Sequence, residues 1–261
     1  MPAGYAHFRF GREMVSQLPE EVRRAAQRFR RLYDVGLQGP DLFFYYNPFR
    51  KNPMQEFGGR CHRQSGQAFF TRACKRLRME PQEVAEAYLF GMLTHYCLDS
   101  VCHPFVVERD MLGDCGHSEL EVEFDRFLLA MDGHLKPHEQ DLSPHLVLED
   151  SECRTASTLF PAATPRQIRR CIRNMAWASW ILSGHSPLGR KSLESLIGLA
   201  GKDVTQHLMT KEPNPNCARY DEAMLKLYCE AKERFPILAE GLNAHIRRGT
   251  PLGEEFGPMF G

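Results

Sequence analysis

Along most of the chain, hydrophobic residues recur every three to four positions, which is the pattern of helices that bury one face. No convincing segment alternates polar and apolar residues between turns, as a half-buried β-strand would. The sequence therefore predicts an all-α protein, a single compact multi-helix domain over residues 1–261. The predicted helices span residues 19–36, 62–79, 81–103, 117–133, 165–181, 190–200 and 218–248.

Proline and glycine set several boundaries between these helices. Pro104 is expected to end the central helix at His103, because proline has no backbone N–H to donate. Residues 51–61 are rich in proline and glycine and are predicted to form a loop, after which His62 opens the next helix. Residues 134–163 have no clear period and are predicted to be a surface excursion.

Composition narrows the class of function. The chain is 43% hydrophobic, which suits a substantial core, and its formal net charge is zero, so no overall attraction to nucleic acid or an anionic membrane is expected. Neither a signal-peptide core nor a stretch of about 18 uncharged apolar residues occurs. The protein is therefore expected to be cytoplasmic, without a transmembrane segment, and its nine cysteines are expected to remain thiols.

Five metal-competent side chains occur at helical spacing near the middle of the chain. His95, Asp99 and His103 are four residues apart, so on a helix each lies within roughly 40° of the last. His117 and Glu121 repeat the spacing on the next helical segment. A lone histidine on an apolar helix is usually a hydrogen-bonded core residue, but five such side chains in register indicate a metal site.

The rise of an α-helix predicts more than one metal ion. At about 1.5 Å per residue, His95 and His103 begin roughly 12 Å apart along the axis, whereas a zinc–nitrogen bond is only about 2.0–2.1 Å long. We therefore expect His95 and His103 to bind different ions, with Asp99 serving the His95 ion or bridging the two.

Two candidates lie outside this stretch. His7 precedes any predicted helix, and a surface or capping role is its simplest interpretation. Asp41 follows a Gly-Pro pair and precedes the aromatic segment 43–46. The composition of this segment is equally compatible with two roles for Asp41. It could cap a turn, or it could bind a metal in a loop whose aromatic rings line a pocket.

The motifs AHFRFG, GPD, a histidine opening a helix, HYCLDSVCHP and HSELE occur in this order. Together they resemble the zinc-dependent phospholipase C family, whose fold also serves secreted trinuclear zinc nucleases. The resembling motifs cover roughly residues 1–125. The resemblance implies a cluster of three zinc ions buried between helices, and we expect this chain to bind two or three.

The resemblance also implies which residues bind each ion. A first zinc would take Asp41, His62, His95 and Asp99, and a second would take His103, His117 and Glu121. A third would take His7, Asp99 and the amino and carbonyl groups of the first residue, which becomes Pro2 if the initiator methionine is removed. The chain has no tryptophan at this end, unlike the secreted relatives.

Carboxylates and imidazoles around paired divalent ions suit the in-line displacement of a phosphoryl group. The predicted function is therefore a phospholipase C-like zinc phosphodiesterase, in which Asp41 also orients the nucleophile or the leaving group. Its expected partner is a phosphodiester, such as a phospholipid head group, with peripheral membrane contact but not nucleic acid. The alternatives are a single-strand nuclease and an inactive metal-binding protein that interacts through arginine-rich helices at residues 22–31 and 166–173.

Overall fold

A computed structural model describes residues 4–48, 50–77, 82–182 and 205–261. Within those ranges the chain is helical and forms no β-strand, so the all-α prediction is confirmed. The predicted helix over residues 190–200 lies outside the described residues. The α-helices are α1 (Gly4–Met14), α2 (Glu20–Arg28), α3 (Arg30–Gly36), α4 (Pro53–His62), α5 (Gly66–Leu77), α6 (Gln82–Met111), α7 (His117–Met131), α8 (Asp150–Leu159), α9 (Pro165–Trp180), α10 (Pro215–Ala218) and α11 (Asp221–Arg248).

Helix α6 runs through the centre of the molecule. Tyr88, Phe90, Leu93 and Tyr96 are fully buried, and apolar residues lie on all its sides, as expected of a helix surrounded by others. Helices α1, α2, α3, α7 and α11 all pack against it. The described helices share one hydrophobic core, and α6 positions the residues at its centre.

Helix α3 crosses α6 where two glycines face each other. A Cβ atom on Gly91 would lie 2.3 Å from the carbonyl oxygen of Tyr33, and one on Gly36 would lie 2.6 Å from that of Tyr88. Neither position accepts a side chain at this backbone separation. The close crossing brings the 3₁₀ helix that follows α3, Gly39–Tyr45, against the middle of α6.

The predicted end of the central helix at Pro104 was wrong, because α6 continues to Met111. Proline removes one N–H from the helical ladder and crowds the preceding turn, but that cost is local. Packing holds the turns beyond it: Val106 is buried, and the Phe105 ring meets the Tyr220 ring edge-on with 5.7 Å between centroids.

Residues 53–62 form α4 instead of the predicted loop, and His62 ends this helix rather than opening the next. The side-chain oxygen of Asn52 accepts hydrogen bonds from the backbone N–H groups of Met54 (3.0 Å) and Gln55 (3.2 Å). A proline occupies the first helical position. This cap and proline start the helix despite the two glycines inside it.

Two other predicted boundaries were also wrong. The helix predicted over residues 19–36 is divided at Phe29, whose φ of −109° and ψ of 49° leave the helical region. The break changes the direction of α3 relative to α2, and Tyr33 of α3 is buried against α6. The predicted surface excursion at 134–163 contains α8, which buries Cys153 and Ala156.

Cys115 and Cys217 form a disulfide with their Cα atoms 5.5 Å apart, so the expectation that every cysteine remains a thiol was wrong for this pair. The bond joins the turn before α7 to α10, across a sequence separation of 102 residues. The other seven cysteines are free. No described helix is both long enough and apolar enough to cross a membrane.

Candidate metal centre

Four side chains from three elements meet beside the middle of α6. His95 and Asp99 belong to α6, Asp41 to the 3₁₀ helix and His7 to α1. One ligand atom of each lies within 4.8 Å of the others, and none of the four residues is more than 7% exposed. His7 is thus a buried member of the cluster, not a surface or capping residue.

His62 joins this group through Asp41. Its Nε2 atom lies 2.7 Å from Oδ1 of Asp41. Its Nδ1 atom lies 2.9 Å from the carbonyl oxygen of Gly58, one turn back in α4. Because a carbonyl can only accept, Nδ1 carries the proton and the lone pair of the neutral ring lies on Nε2, which faces the cluster.

The imidazole of His95 is oriented in the same way. Its Nδ1 atom donates to the carbonyl oxygen of Leu37 at 3.2 Å, which leaves Nε2 facing Asp41 and Asp99. Gly39 makes this packing possible, because its φ is +53° and a Cβ atom there would lie 2.2 Å from the His95 ring. The Gly-Pro-Asp motif therefore positions two ligand candidates: it contains Asp41, and its Gly39 leaves room for the ring of His95.

A second group forms where α6 and α7 meet. Ligand atoms of His103, His117 and Glu121 lie within 4.8 Å of one another. The two imidazole centroids are 4.7 Å apart, and Nε2 of His117 lies 3.3 Å from Oε1 of Glu121. His95 and His103 thus belong to different groups, in agreement with the argument from helical rise.

Asp99 lies between the two groups. Its Oδ1 atom is 3.3 Å from Nε2 of His7, and its Oδ2 atom is 3.2 Å from Nε2 of His95 and 4.0 Å from Nδ1 of His103. A carboxylate with both oxygens engaged in this way has the geometry of a bridging ligand.

The electrostatics suit ligands that must be deprotonated. Burial opposes the ionisation of Asp99, but the imidazoles of His95 and His7 hold its pKa well below the usual range. Burial likewise opposes the ionisation of Glu121, but its contact with His117 lowers its pKa. For His62, burial lowers the pKa, but Asp41 raises it more, to about 9. A metal ion at His62 must therefore displace a proton.

Among the described residues, three buried polar atoms of the cluster lack a hydrogen-bond partner: Nδ1 of His7, Nε2 of His95 and Oε2 of Glu121. An unsatisfied buried acceptor normally costs free energy, and a cation would satisfy Nε2 of His95 and Oε2 of Glu121, which lie one in each group. The donor set of nitrogen and carboxylate oxygen atoms fits zinc.

Asp125 supports the cluster from one turn further along α7. Its Oδ2 and Oδ1 atoms accept hydrogen bonds from the backbone N–H groups of Tyr5 (2.9 Å) and Ala6 (2.7 Å), which fixes the start of α1 beside His7. Burial raises the pKa of Asp125 to about 7 although these hydrogen bonds oppose the shift. The sequence contained a signal for it, because Asp125 continues the four-residue spacing of His117 and Glu121.

An open pocket of about 310 Å³ lies over the cluster. Its lining consists of metal-ligand candidates and four further residues: Asp41, His62, Asp99, His103, His117, Glu121, Phe44, Gly59, Arg63 and Gly261. Of the four aromatic residues at 43–46, which one of the two interpretations of this segment placed in a pocket wall, Phe44 lines this pocket and the other three do not. Phe43 and Tyr45 are buried in the core, with 0% and 2% exposure.

All eight candidate ligands thus lie in one place, in two groups joined by Asp99 and open to a pocket. Pro2, the possible N-terminal chelator, lies outside the described residues. This fold and cluster define a helical protein with a buried set of residues that could hold metal.

A sequence model of the family described as zinc dependent phospholipase C matches residues 6–186. The match covers more than half of the chain, which therefore belongs to the zinc-dependent phospholipase C family. No curated protein and no solved structure matches the chain. Family membership and the buried histidine and aspartate cluster together identify this as a zinc-binding, hydrolase-type protein.

Proposed function

We propose that the protein is a phospholipase C-like zinc phosphodiesterase that releases a phosphorylated head group. The observation that carries this proposal is the pair of ligand groups joined by Asp99 beneath an open pocket. Two adjacent ions in such groups would contact both the attacking and the leaving oxygen of an in-line displacement at phosphorus. We further propose two or three zinc ions per chain.

Zinc, when bound, supplies a water of lowered pKa and stabilises the charge that develops on the phosphoryl group. The protein's own contribution centres on Asp41, which lines the pocket and is held by His62 at 2.7 Å. Its second oxygen faces His95 at 3.9 Å. We assign Asp41 to zinc binding and to orienting the nucleophile or leaving group through a hydrogen bond. Water attacks phosphorus and gives up a proton, the bond between phosphorus and the alcohol oxygen breaks, and that oxygen takes up a proton.

The single-strand nuclease alternative has less support. Stacking platforms for bases need several exposed aromatic faces. Phe44 is the one aromatic residue of the described pocket lining, and its ring already stacks on His62 with 5.4 Å between centroids. Tyr46 is half-buried, with the Arg170 guanidinium 5.2 Å from its ring centroid.

The alternative of an inactive interaction protein relies on exposed arginines, and several of these have partners within the chain. Arg28 pairs with Glu83 at 3.1 Å, and Arg31 pairs with Glu149 at 2.9 Å. These contacts favour the interpretation that the first arginine-rich segment is a solvated helix face. An inactive interaction protein would also have no use for the open pocket over the candidate zinc ligands.

The proposal is tested by incubating zinc-loaded protein with a chromogenic phosphodiester, a short-chain phospholipid and a single-stranded oligonucleotide. Turnover of the first two that stops on chelation and returns with zinc is expected. Glu108→Gln is a suitable control for ligand variants, because this exposed carboxylate lies on α6 away from the pocket lining. Cleavage of the oligonucleotide alone would support the nuclease, and no turnover of any substrate would favour the interaction protein.

The cellular location and the peripheral membrane contact stay predictions. A phosphodiester substrate is the partner we propose. The Cys115–Cys217 disulfide weighs against a cytoplasmic location, because such bonds persist mainly in oxidising compartments.

A further inference from the structure

Arg63 is a positively charged residue at the rim of the zinc pocket. Apart from the ligand candidates, the pocket lining comprises Phe44, Gly59, Arg63 and Gly261. Arg63 is therefore the one permanently cationic side chain in this described lining. Within the described part of the chain its guanidinium makes no hydrogen bond or ion pair, in contrast to Arg28 and Arg31.

The local backbone fixes Arg63 in this position. It is the C-cap residue of α4, directly after the ligand candidate His62. The backbone N–H of Gly261 donates to the carbonyl oxygen of His62, and that of Phe260 donates to the carbonyl oxygen of Gln64, each at 3.2 Å. Phe260 is fully buried, so the residues on both sides of Arg63 are attached to the core.

Glycine provides room for the guanidinium beside the pocket. A Cβ atom at Gly59 would lie 3.3 Å from Nη1 of Arg63, so the charged end of Arg63 lies next to this glycine, which also lines the pocket. The other ionisable groups in the lining are Asp41, Asp99, Glu121 and the histidines, all of them zinc-ligand candidates. Arg63 is thus available for a substrate.

The chemistry of the rim selects against a quaternary ammonium head group. Such cations bind where several aromatic faces surround them, and one aromatic ring beside a guanidinium does not provide that. A guanidinium favours a carboxylate or a phosphate, to which it donates two parallel hydrogen bonds.

Resting on the proposed function, we propose that Arg63 binds an anionic group on the substrate's head group and makes the enzyme selective for phosphodiesters with acidic head groups. The shared chemistry is a carboxylate or phosphate beside the scissile phosphodiester. It would be carried by a phospholipid or by a water-soluble phosphodiester, and the phosphorylated head group that hydrolysis releases retains the same anion.

Phosphatidylserine and phosphatidylethanolamine test this proposal because they differ by one carboxylate. Dihexanoyl forms, used as monomers, avoid the charge of a membrane surface. The expected result is that Arg63→Gln lowers kcat/KM for the serine lipid roughly tenfold, changes the value for the ethanolamine lipid much less, and that Arg63→Lys falls between. Arg60→Gln is the matched control, since Arg60 lies on the same helix outside the pocket lining, over the Phe57 ring.

A binding measurement on zinc-loaded protein separates this proposal from the proposed function. Calorimetry should show that Arg63→Gln weakens phosphoserine binding roughly tenfold and leaves phosphoethanolamine binding nearly unchanged. That result with no lipid turnover would support the role of Arg63 and refute the phospholipase activity. Equal effects on both ligands and both lipids, or no effect on either, would overturn the role of Arg63.

Discussion

Replacing Asp99 by Asn tests the bridging role most sharply. The Asp99 carboxylate faces three imidazoles, with oxygen–nitrogen distances of 3.3 Å to His7, 3.2 Å to His95 and 4.0 Å to His103. An amide keeps the shape but exchanges one of these oxygens for an NH₂ group, which cannot bind a metal. A bridging ligand needs both oxygens, so the variant should lose more than one equivalent of zinc.

The effect on stability follows from the binding of zinc to the folded state. An ion present at about 100 times its Kd stabilises that state by about 2.7 kcal/mol, so losing two removes about 5 kcal/mol. For a chain of this size, 1 kcal/mol corresponds to roughly 2–4 °C, and Tm should fall by roughly 10–20 °C.

Calorimetric melting and metal analysis should be made on the same Asp99→Asn sample, with and without chelator. The difference in Tm from the unmodified protein should shrink in chelator, since neither protein then holds zinc. Glu108→Gln, on the same helix with a side chain that is 59% exposed, should retain normal zinc content and Tm. Loss of one zinc or less from Asp99→Asn would refute the bridging role.

Three further predictions follow from the site and the disulfide. Asp41→Asn should keep an oxygen ligand and lose at most one zinc, yet reduce phosphodiester turnover on the order of 10²–10⁴-fold, and near-normal turnover would remove Asp41 from the active site. Cys115→Ser should lower the free energy of unfolding by about 2–4 kcal/mol, because the disulfide closes a long loop, and an unchanged denaturant midpoint would argue against the bond. In metal-free protein the contact with Asp41 raises the pKa of His62 from 6.5 to about 9. The contact of protonated His62 with Asp41 therefore stabilises the fold fully below pH 6.5, and this stabilisation is lost as the pH rises through about 9. Zinc needs the neutral imidazole, so the gain in Tm on adding zinc should be larger at pH 8.5 than at pH 6.5, and an equal or smaller gain would contradict this coupling.

Sequence reasoning anticipated which candidate ligands lie together better than it anticipated the helix boundaries. His95, Asp99 and His103 could be located because the four-residue spacing of a helix is fixed whatever packs around it. The same spacing extends from Glu121 to Asp125, a position that sequence reasoning missed. Boundaries depend on tertiary contacts that no local pattern contains. Pro104, for example, stays inside a helix because packing supports the turns beyond it.

Contacts between distant parts of the chain could not be predicted from local sequence patterns. Nothing in the composition near Arg63 indicates that Phe260 and Gly261 hold its neighbours. The pairing of Cys115 with Cys217 likewise depends on α10 lying beside the turn before α7. The steric need for glycine at position 39 becomes visible only when the His95 ring is placed against it.

Native mass spectrometry with metal analysis tests the central claim most directly, because it counts the ions that the cluster holds in the folded chain. The eight ligand candidates predict two or three tightly bound zinc ions per chain, lost together on chelation and regained on adding zinc. A chain that binds fewer than two zinc ions under these conditions would contradict a multinuclear zinc centre.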